Sequence, residues 1–347
     1  MPRYTTVLVG CGPRGMMHAQ AIQANPERFA LTAVCDLDSA RLTPFAAQCN
    51  ITNTYTDAHT MLATEQPDVL CFATLPAVRL PLVELGVRHG VKAIAFEKPM
   101  ALSLAEARQI LTLCATAGVK TIICHQLKYG AHWQKAWEIV RSGALGDIHT
   151  LHATARPSML RVGTHLVDAM LWFNGGQRGL WVMGQAHGTA AYAEDHPCPD
   201  HIMGVIQFAN GVRGLLECGT LAPHVMPEED FWLDGAVTVY GSHGYVRAGI
   251  GSGWQALTVA SGGQLLSGPP DLRPQEPRFY RDLADWLDDA QRVHPCHGDI
   301  SYHGFELLIG MGLSSVERRQ VDIPITPIPT TPELTRLAKV LKLFADS

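Results

Sequence analysis

His165, Asp168 and Trp172 stand at i, i+3 and i+7, a spacing that puts all three on one stripe of a helix. The rest of that stretch (Leu166, Val167, Met170, Leu171, Phe173) is apolar, so a polar pair within it has to be accounted for. An imidazole whose ordinary pKa lies near neutrality suits a general base that takes a proton from a hydroxyl. Asp168 would then orient the ring or bind a substrate hydroxyl; the other reading is a His–Asp pair satisfied inside a core. Lys98 is a second candidate. It precedes Pro99, which biases its backbone away from helix. An ammonium in that position can donate to a reacting hydroxyl and stabilise the alkoxide that develops on it. Spacing alone leaves open a surface lysine beside Glu97.

Such groups need a scaffold, and the start of the chain supplies one. Val7–Val9 runs into Gly10-Cys11-Gly12-Pro13-Arg14-Gly15, a Gly-x-Gly-x-x-Gly loop followed by a helical stretch from Met16 to Ala24. Gly10 allows the turn, Gly12 lets a pyrophosphate approach, and Gly15 lets the helix pack closely. Pro13 suits the first helical position. A second apolar run, Leu31–Cys35, ends in Asp36, where a ribose-binding acid belongs. Asp36 would repel a 2′-phosphate, which predicts NAD over NADP, with Arg41 close enough to blur that preference. Three further apolar runs, Val69–Phe72, Ala93–Phe96 and Thr121–Cys124, alternate with helical segments at Ser39–Gln48, Pro81–His89 and Ser103–Ala117. This predicts a doubly wound parallel sheet over residues 1–124. Ligands bind such sheets at the carboxyl ends of the strands. That aligns Arg14, Asp36, Thr74, Pro76, Glu97, Lys98 and Pro99 along one crevice.

From residue 125 to 347 the pattern changes. Helices are expected at Ala131–Arg141 and His165–Phe173. Strands are expected at Asp147–Ala155, Leu180–Gly188, His201–Ala209, Val212–Cys218, Phe231–Tyr240 and Tyr245–Ala248, with Asn210-Gly211 as a hairpin turn. Gly249–Gly253 and Ser261–Pro270 read as loops. Helices return at Phe279–Arg292, Tyr302–Arg319 and Pro332–Ala345, with an edge strand at Val321–Ile325. This is an α+β domain with a largely antiparallel sheet. Lys128 and Tyr129 sit where the chain leaves the first domain and face either the site or the core. Tyr302 and His303 are further pocket candidates. All seven tryptophans follow Cys124, which fits sheet packing as well as a sugar site, with Trp172 the best placed to touch substrate.

A net charge of -5 without blocks of like charge speaks against nucleic acid and anionic membranes as partners. No apolar run approaches the ~20 residues of a membrane span, and the first strand begins without a leader-like layout. Nine scattered cysteines, with no Cys-x-x-Cys pair, suit a reducing cytoplasm. Two clusters have metal-ligand residue types, Asp195–His201 and His294–His297. Their prolines and irregular spacing match no tetrahedral template, so no metal is expected.

Taken together, these motifs make the chain similar, over nearly its whole length, to the glucose–fructose oxidoreductase/inositol dehydrogenase/rhizopine-catabolism (Gfo/Idh/MocA) family. The glycine loop with Asp36, Ala95-Phe96-Glu97-Lys98-Pro99, and Gly163-Thr164-His165-Leu166-Val167-Asp168 running into Leu171–Gly175 carry the resemblance. It implies hydride transfer between a sugar or cyclitol carbon and a nicotinamide cofactor, Lys98 and His165 as catalytic groups, and a homodimer or homotetramer formed through the second domain's sheet. The implied partners are a small sugar, sugar acid, cyclitol or glycoside. Some relatives instead cleave glycosides through transient oxidation by retained NAD, and a non-catalytic sensor is a third reading. One departure stands out. The family often has an Asp four residues before this histidine, where this chain has Arg161. The arginine is either a recognition group for an anionic substrate or a solvated side chain.

Overall fold

The computed structural model describes residues 2–345, and its chain forms two compact units. The first takes in everything up to Leu102, then Glu106–Gln126 and Pro274–Ser301. Its strands are β1 (Tyr4–Val9), β2 (Phe29–Cys35), β3 (Asn53–Tyr55), β4 (Val69–Phe72), β5 (Ala93–Phe96) and β6 (Lys120–Ile123). Its helices are α1 (Pro13–Gln23), α2 (Ser39–Cys49), α3 (Ala58–Glu65), α4 (Arg79–Arg88) and α5 (Leu104–Thr116), to which is added a helix at Glu276–Asp288. All six strands are parallel, in the order β3-β2-β1-β4-β5-β6. Every residue of β4 and β5 is buried, as a strand covered on both faces demands, and the Phe72 and Phe96 rings stack at 4.8 Å. The strand order reverses between β1 and its neighbours β2 and β4, the switch point at which such sheets bind ligands.

The second unit contains Ser103–Ala105, Leu127–Arg273 and Tyr302 onward. It carries α6 (Ala131–Arg141), β7 (Ile148–Ala155), α7 (Thr164–Phe173), β8 (Gly179–His187), β9 (His201–Phe208), β10 (Arg213–Gly219), β11 (Gly235–Gly241), β12 (Gly244–Gly249), β13 (Gly253–Thr258) and β14 (Leu266–Gly268). After the first unit's helix at Glu276–Asp288, which is α8 in chain order, come α9 (Gly298–Glu317), β15 (Val321–Asp322) and α10 (Glu333–Ala345). The nine strands run β14-β13-β12-β11-β7-β10-β9-β8-β15, and only the β7–β10 pair is parallel. Glycines let α9 lie close on this sheet: a Cβ on Gly184 or Gly204 would meet Met311 at 2.6 and 2.8–2.9 Å.

Several segments differ from expectation. β3 and α3 were not anticipated, since Asn53–Tyr55 is a short, polar edge strand whose residues are exposed or half-buried. The span expected to be one strand from Phe231 begins as strand only at Gly235. The chain before it makes a 3-10 turn, and Asp234 turns inward to accept from the amides of Val225 and Met226. Ser261–Pro270 is not all loop, because β14 pairs there with β13. Most consequentially, Glu276–Asp288 packs in the first unit and sends Tyr280 into its core. Among the described residues no helix is long and apolar enough to cross a membrane, and all nine cysteines are free and buried.

Candidate active site

In the first unit the glycine loop has the form a dinucleotide requires. Gly10 has a φ of +98°, and a Cβ there would lie 2.5 Å from the Ala73 carbonyl oxygen. A Cβ on Gly15 would collide with the carbonyl of Gly10, so the third glycine closes the loop on itself. Gly12 is different. Nothing lies within 4 Å of where its Cβ would be, and it caps α1 with no side-chain bond, leaving open backbone at the positive end of a helix that has Pro13 at its start. Asp36 accepts from the amides of Cys11 (2.7 Å) and Asp38 (2.9 Å), which ties the end of β2 to the glycine loop and keeps a carboxylate beside it. Arg41 pairs with Asp38, both side chains being largely exposed. The open backbone and the fixed acid fit a dinucleotide.

Lys98 follows β5 and is half-buried, and its peptide bond to Pro99 is cis. Burial pulls its ammonium down to about 8, while Glu97 pulls the other way. Its carbonyl accepts from the guanidinium of Arg79 (3.0 Å), which also donates to the Thr74 carbonyl (3.1 Å). Arg79 is 1% exposed, and burial lowers its pKa to about 9. It therefore clamps the loops after β4 and β5 together and fixes both Thr74 and Lys98. Pro76 is buried at the start of the 3-10 turn just before Arg79. The Thr74 hydroxyl is shielded from solvent and has no hydrogen-bond partner among the described residues, as expected for a group that awaits a ligand.

Glu97 faces away from that crevice, into a network the sequence did not reveal. Its carboxylate takes the guanidinium of Arg14 (2.8 Å to Nε) and His18 Nε2 (3.2 Å), and His18 Nδ1 meets the Tyr280 hydroxyl at 2.8 Å. Arg14 also reaches Glu276 at 3.2 Å. Burial alone would raise the Glu97 carboxyl, but Arg14 and His18 overrule it and hold it well below the usual range. Burial disfavours charge on His18 as well, yet Cys71 and Glu97 lift it to about 10. Glu97, His18 and Cys124 bring three ligand-type atoms within 4.8 Å of one another. With the Arg14 guanidinium and the His18 imidazolium set against the carboxylates of Glu97 and Glu276, this is a charge-balanced core and not a cation site. The clusters singled out from sequence are also engaged. Asp200 accepts from the Ala191 amide (2.6 Å), His201 faces Glu217 at 3.7 Å, and His294 bonds the Phe279 carbonyl (3.0 Å) and the Cys296 amide (2.9 Å).

In the second unit, His165 is buried on α7, directly after a five-residue π turn, Met159–Gly163. Such turns recur at functional sites. Gly163 permits this one: its absent Cβ would lie 3.1 Å from Cys218 Sγ. Asp168 is paired with the buried Lys128, at 3.0 and 3.1 Å, so the carboxylate on the histidine's stripe carries a lysine. Tyr129 is buried beside Lys128 in sequence. Trp172 stacks on Trp137 at 5.4 Å with planes 3° apart, which binds α7 to α6 and commits one ring face to packing. Arg161 ion-pairs with Glu194 at 2.7 Å. His303 lies in the second turn of α9 and not at its opening. It accepts from the Gly179 amide (2.9 Å), and burial lowers it to about 4, so it is a structural core histidine. Tyr302, its neighbour, is half-buried.

Comparison with known proteins agrees with this geometry. Residues 4–125 match the Gfo/Idh/MocA model described as an oxidoreductase family with an NAD-binding Rossmann fold, and residues 133–247 match the Gfo/Idh/MocA C-terminal domain. The chain belongs to the Gfo/Idh/MocA family. The nucleotide domain of this Gfo/Idh/MocA protein is thus of the NAD-binding kind. Among its relatives is D-apiose dehydrogenase of Paraburkholderia graminis, 36% identical over 144 residues, which is 42% of this chain and 38% of that one. Another is myo-inositol 2-dehydrogenase of Thermotoga maritima, 23% identical over 149 residues, covering 43% and 44%. These matches span less than half the length of either relative. An oxidoreductase from Agrobacterium radiobacter, solved with NAD+, L-tartaric acid and magnesium, superposes with a TM-score of 0.80 at 17% identity over 93% of this chain and 99% of that one.

Proposed function

We propose that this protein is an NAD-dependent oxidoreductase that moves hydride between a carbinol carbon of a sugar or cyclitol and the nicotinamide. The observation that carries the reading is Lys98, an ammonium held near pKa 8 and clamped by Arg79 in the NAD-binding domain. When bound, the cofactor supplies the hydride acceptor. The Gly12 backbone and α1 would hold its pyrophosphate, Asp36 its ribose, and Thr74, Pro76 and Pro99 would shape the crevice. Lys98 donates to the reacting hydroxyl and stabilises negative charge as it grows on the oxygen. His165 takes the hydroxyl proton. The Lys128–Asp168 pair keeps the base's helix charge-balanced and can present donors and acceptors to substrate hydroxyls. Incubating the protein with NAD and a panel of sugars, sugar acids, cyclitols and glycosides, read by NADH absorbance and product mass, tests this. Oxidised product in step with NADH is the expected result. Sugar released from a glycoside without NADH would replace the reading with transient-oxidation cleavage, and no turnover of any compound would replace it with a sensor.

The outer face of the second sheet supports a homo-oligomer. Met183, Val205 and Leu215 are cross-strand neighbours on β8, β9 and β10, and Met183 and Leu215 are 48% and 39% exposed. Arg213 and Glu217 flank Leu215 on the same face, two positions to either side. A twofold axis through Leu215 would set each arginine opposite the other copy's glutamate, which is the self-complementarity an isologous interface needs. Light scattering should give a dimer or tetramer for the native chain and a monomer for Met183→Lys/Leu215→Glu. A native monomer at micromolar concentration would overturn the proposal.

A further inference from the structure

Arg161 is the one residue of the Met159–Gly163 turn that is not buried. It lies four positions before His165 on a continuous helical path, so the turn that delivers the candidate base also delivers a guanidinium. The guanidinium is held on two sides. Its edge meets the Glu194 carboxylate at 2.7 Å, and its face lies over Trp232, 5.0 Å from the ring centroid. Trp232 is 51% exposed, and the Arg161 and Glu194 side chains are 25% and 46% exposed. A pair this open contributes little to stability. Glu194 also belongs to the irregular connection between β8 and β9, just past a 3-10 turn, where no sheet hydrogen bond fixes it.

We propose that Arg161 anchors a carboxylate on the substrate, and that Glu194 holds that carboxylate's place until the substrate arrives. The substrate is then a sugar acid and not a neutral sugar. The inference rests on the hydroxyl-oxidising reading of His165 and names its substrate class. Exchange of one carboxylate for another leaves the charge balance of the site unchanged, and a planar guanidinium pre-oriented on an aromatic face presents two parallel donors to it. A phosphate dianion fits less well. One guanidinium would leave part of its charge uncompensated, and Glu228, Glu229 and Asp230 share the turn that carries Trp232.

The test uses the NAD-loaded protein and calorimetric titration with matched pairs at equal ionic strength: D-glucuronate and D-glucose, D-galacturonate and D-galactose, D-gluconate and D-glucitol. At least one acid should bind ~10-fold or more tightly than its neutral partner, the scale of a charged hydrogen bond. Arg161→Met should erase that preference. Glu194→Gln, an exposed substitution that spares the fold, should tighten the acid several-fold and leave the neutral sugar unchanged. A purely structural ion pair would not produce a gain in affinity from Glu194→Gln. If no acid outbinds its partner, if the preference survives Arg161→Met, or if Glu194→Gln brings no gain for the acid, the proposal is overturned. Neutral polyols oxidised by the native protein as well as the matching acids would sink it while leaving the oxidoreductase reading intact. Tight acid binding without NADH from any compound would do the reverse.

Discussion

Lys98→Ala should lower kcat by ~10²–10⁴, and His165→Ala by a similar factor, the usual range for a lost acid–base or charge-stabilising group. At ~1.4 kcal/mol per decade this amounts to ~3–5 kcal/mol of transition-state stabilisation, well above what a solvated lysine contributes. The reason lies in the environment of the ammonium. Burial depresses Lys98 from 10.5 to about 8, so its charge is present below that pH and is lost as the pH rises through it. Oxidation should therefore show a falling limb near pH 8 that belongs to Lys98. Lys98→Arg, which stays charged throughout, should lack that limb whatever its absolute rate. Steady-state kinetics across pH 6–10, with circular dichroism to confirm folding, would settle the assignment. Near-full turnover in Lys98→Ala would remove the residue from the mechanism, and an unchanged alkaline limb in Lys98→Arg would remove its titration.

The parts of the molecule legible in sequence are those whose physics is local. β4 and β5 have the bounds expected from their apolar runs, because strands buried on both faces leave no room for polar residues. Gly10, Gly12 and Gly15 could be assigned separate duties because each answers a local steric demand, although Gly15 turns out to accommodate the carbonyl of Gly10. What could not be read depends on distant chain. Arg79 looks like the polar start of an apolar helix, yet it bridges two strand ends through Thr74 and Lys98. Tyr280 and Glu276 lie more than 250 positions from Arg14 and His18, with which they share a core, and nothing in their local sequence says so. The i, i+3 spacing of His165 and Asp168 put both on one stripe, but the lysine that pairs with Asp168 comes from a turn 40 residues earlier. The one local hint was the placement of Lys128 where the chain leaves the first domain.

The buried network carries the second large effect. Glu97→Gln removes the negative charge that Arg14 and His18 share, leaving an imidazole that is fully buried and a guanidinium that is 38% exposed on its side chain. Breaking one side of a buried ion pair costs ~3–5 kcal/mol; the partial exposure of Arg14 puts the expectation toward the lower end. For a unit of this size that is a fall in Tm of roughly 6–15 °C. The pH dependence has a definite sign. Glu97, held well below its ordinary value, contributes stability above the range where a free glutamate titrates, and that contribution is lost as the pH falls toward its depressed pKa. His18, raised to about 10, contributes fully below 6.5 and progressively less as the pH climbs to about 10. Native protein should therefore lose stability toward both extremes, and Glu97→Gln should flatten both slopes while lowering the plateau between them. Urea unfolding at pH 4, 7 and 9.5 would show it. A variant within ~1 kcal/mol of native protein at all three values would mean that the carboxylate is not the centre of this network. Because Glu97 is also the residue before Lys98, the variant should lower the Lys98 pKa further, moving the alkaline limb of the rate profile to lower pH.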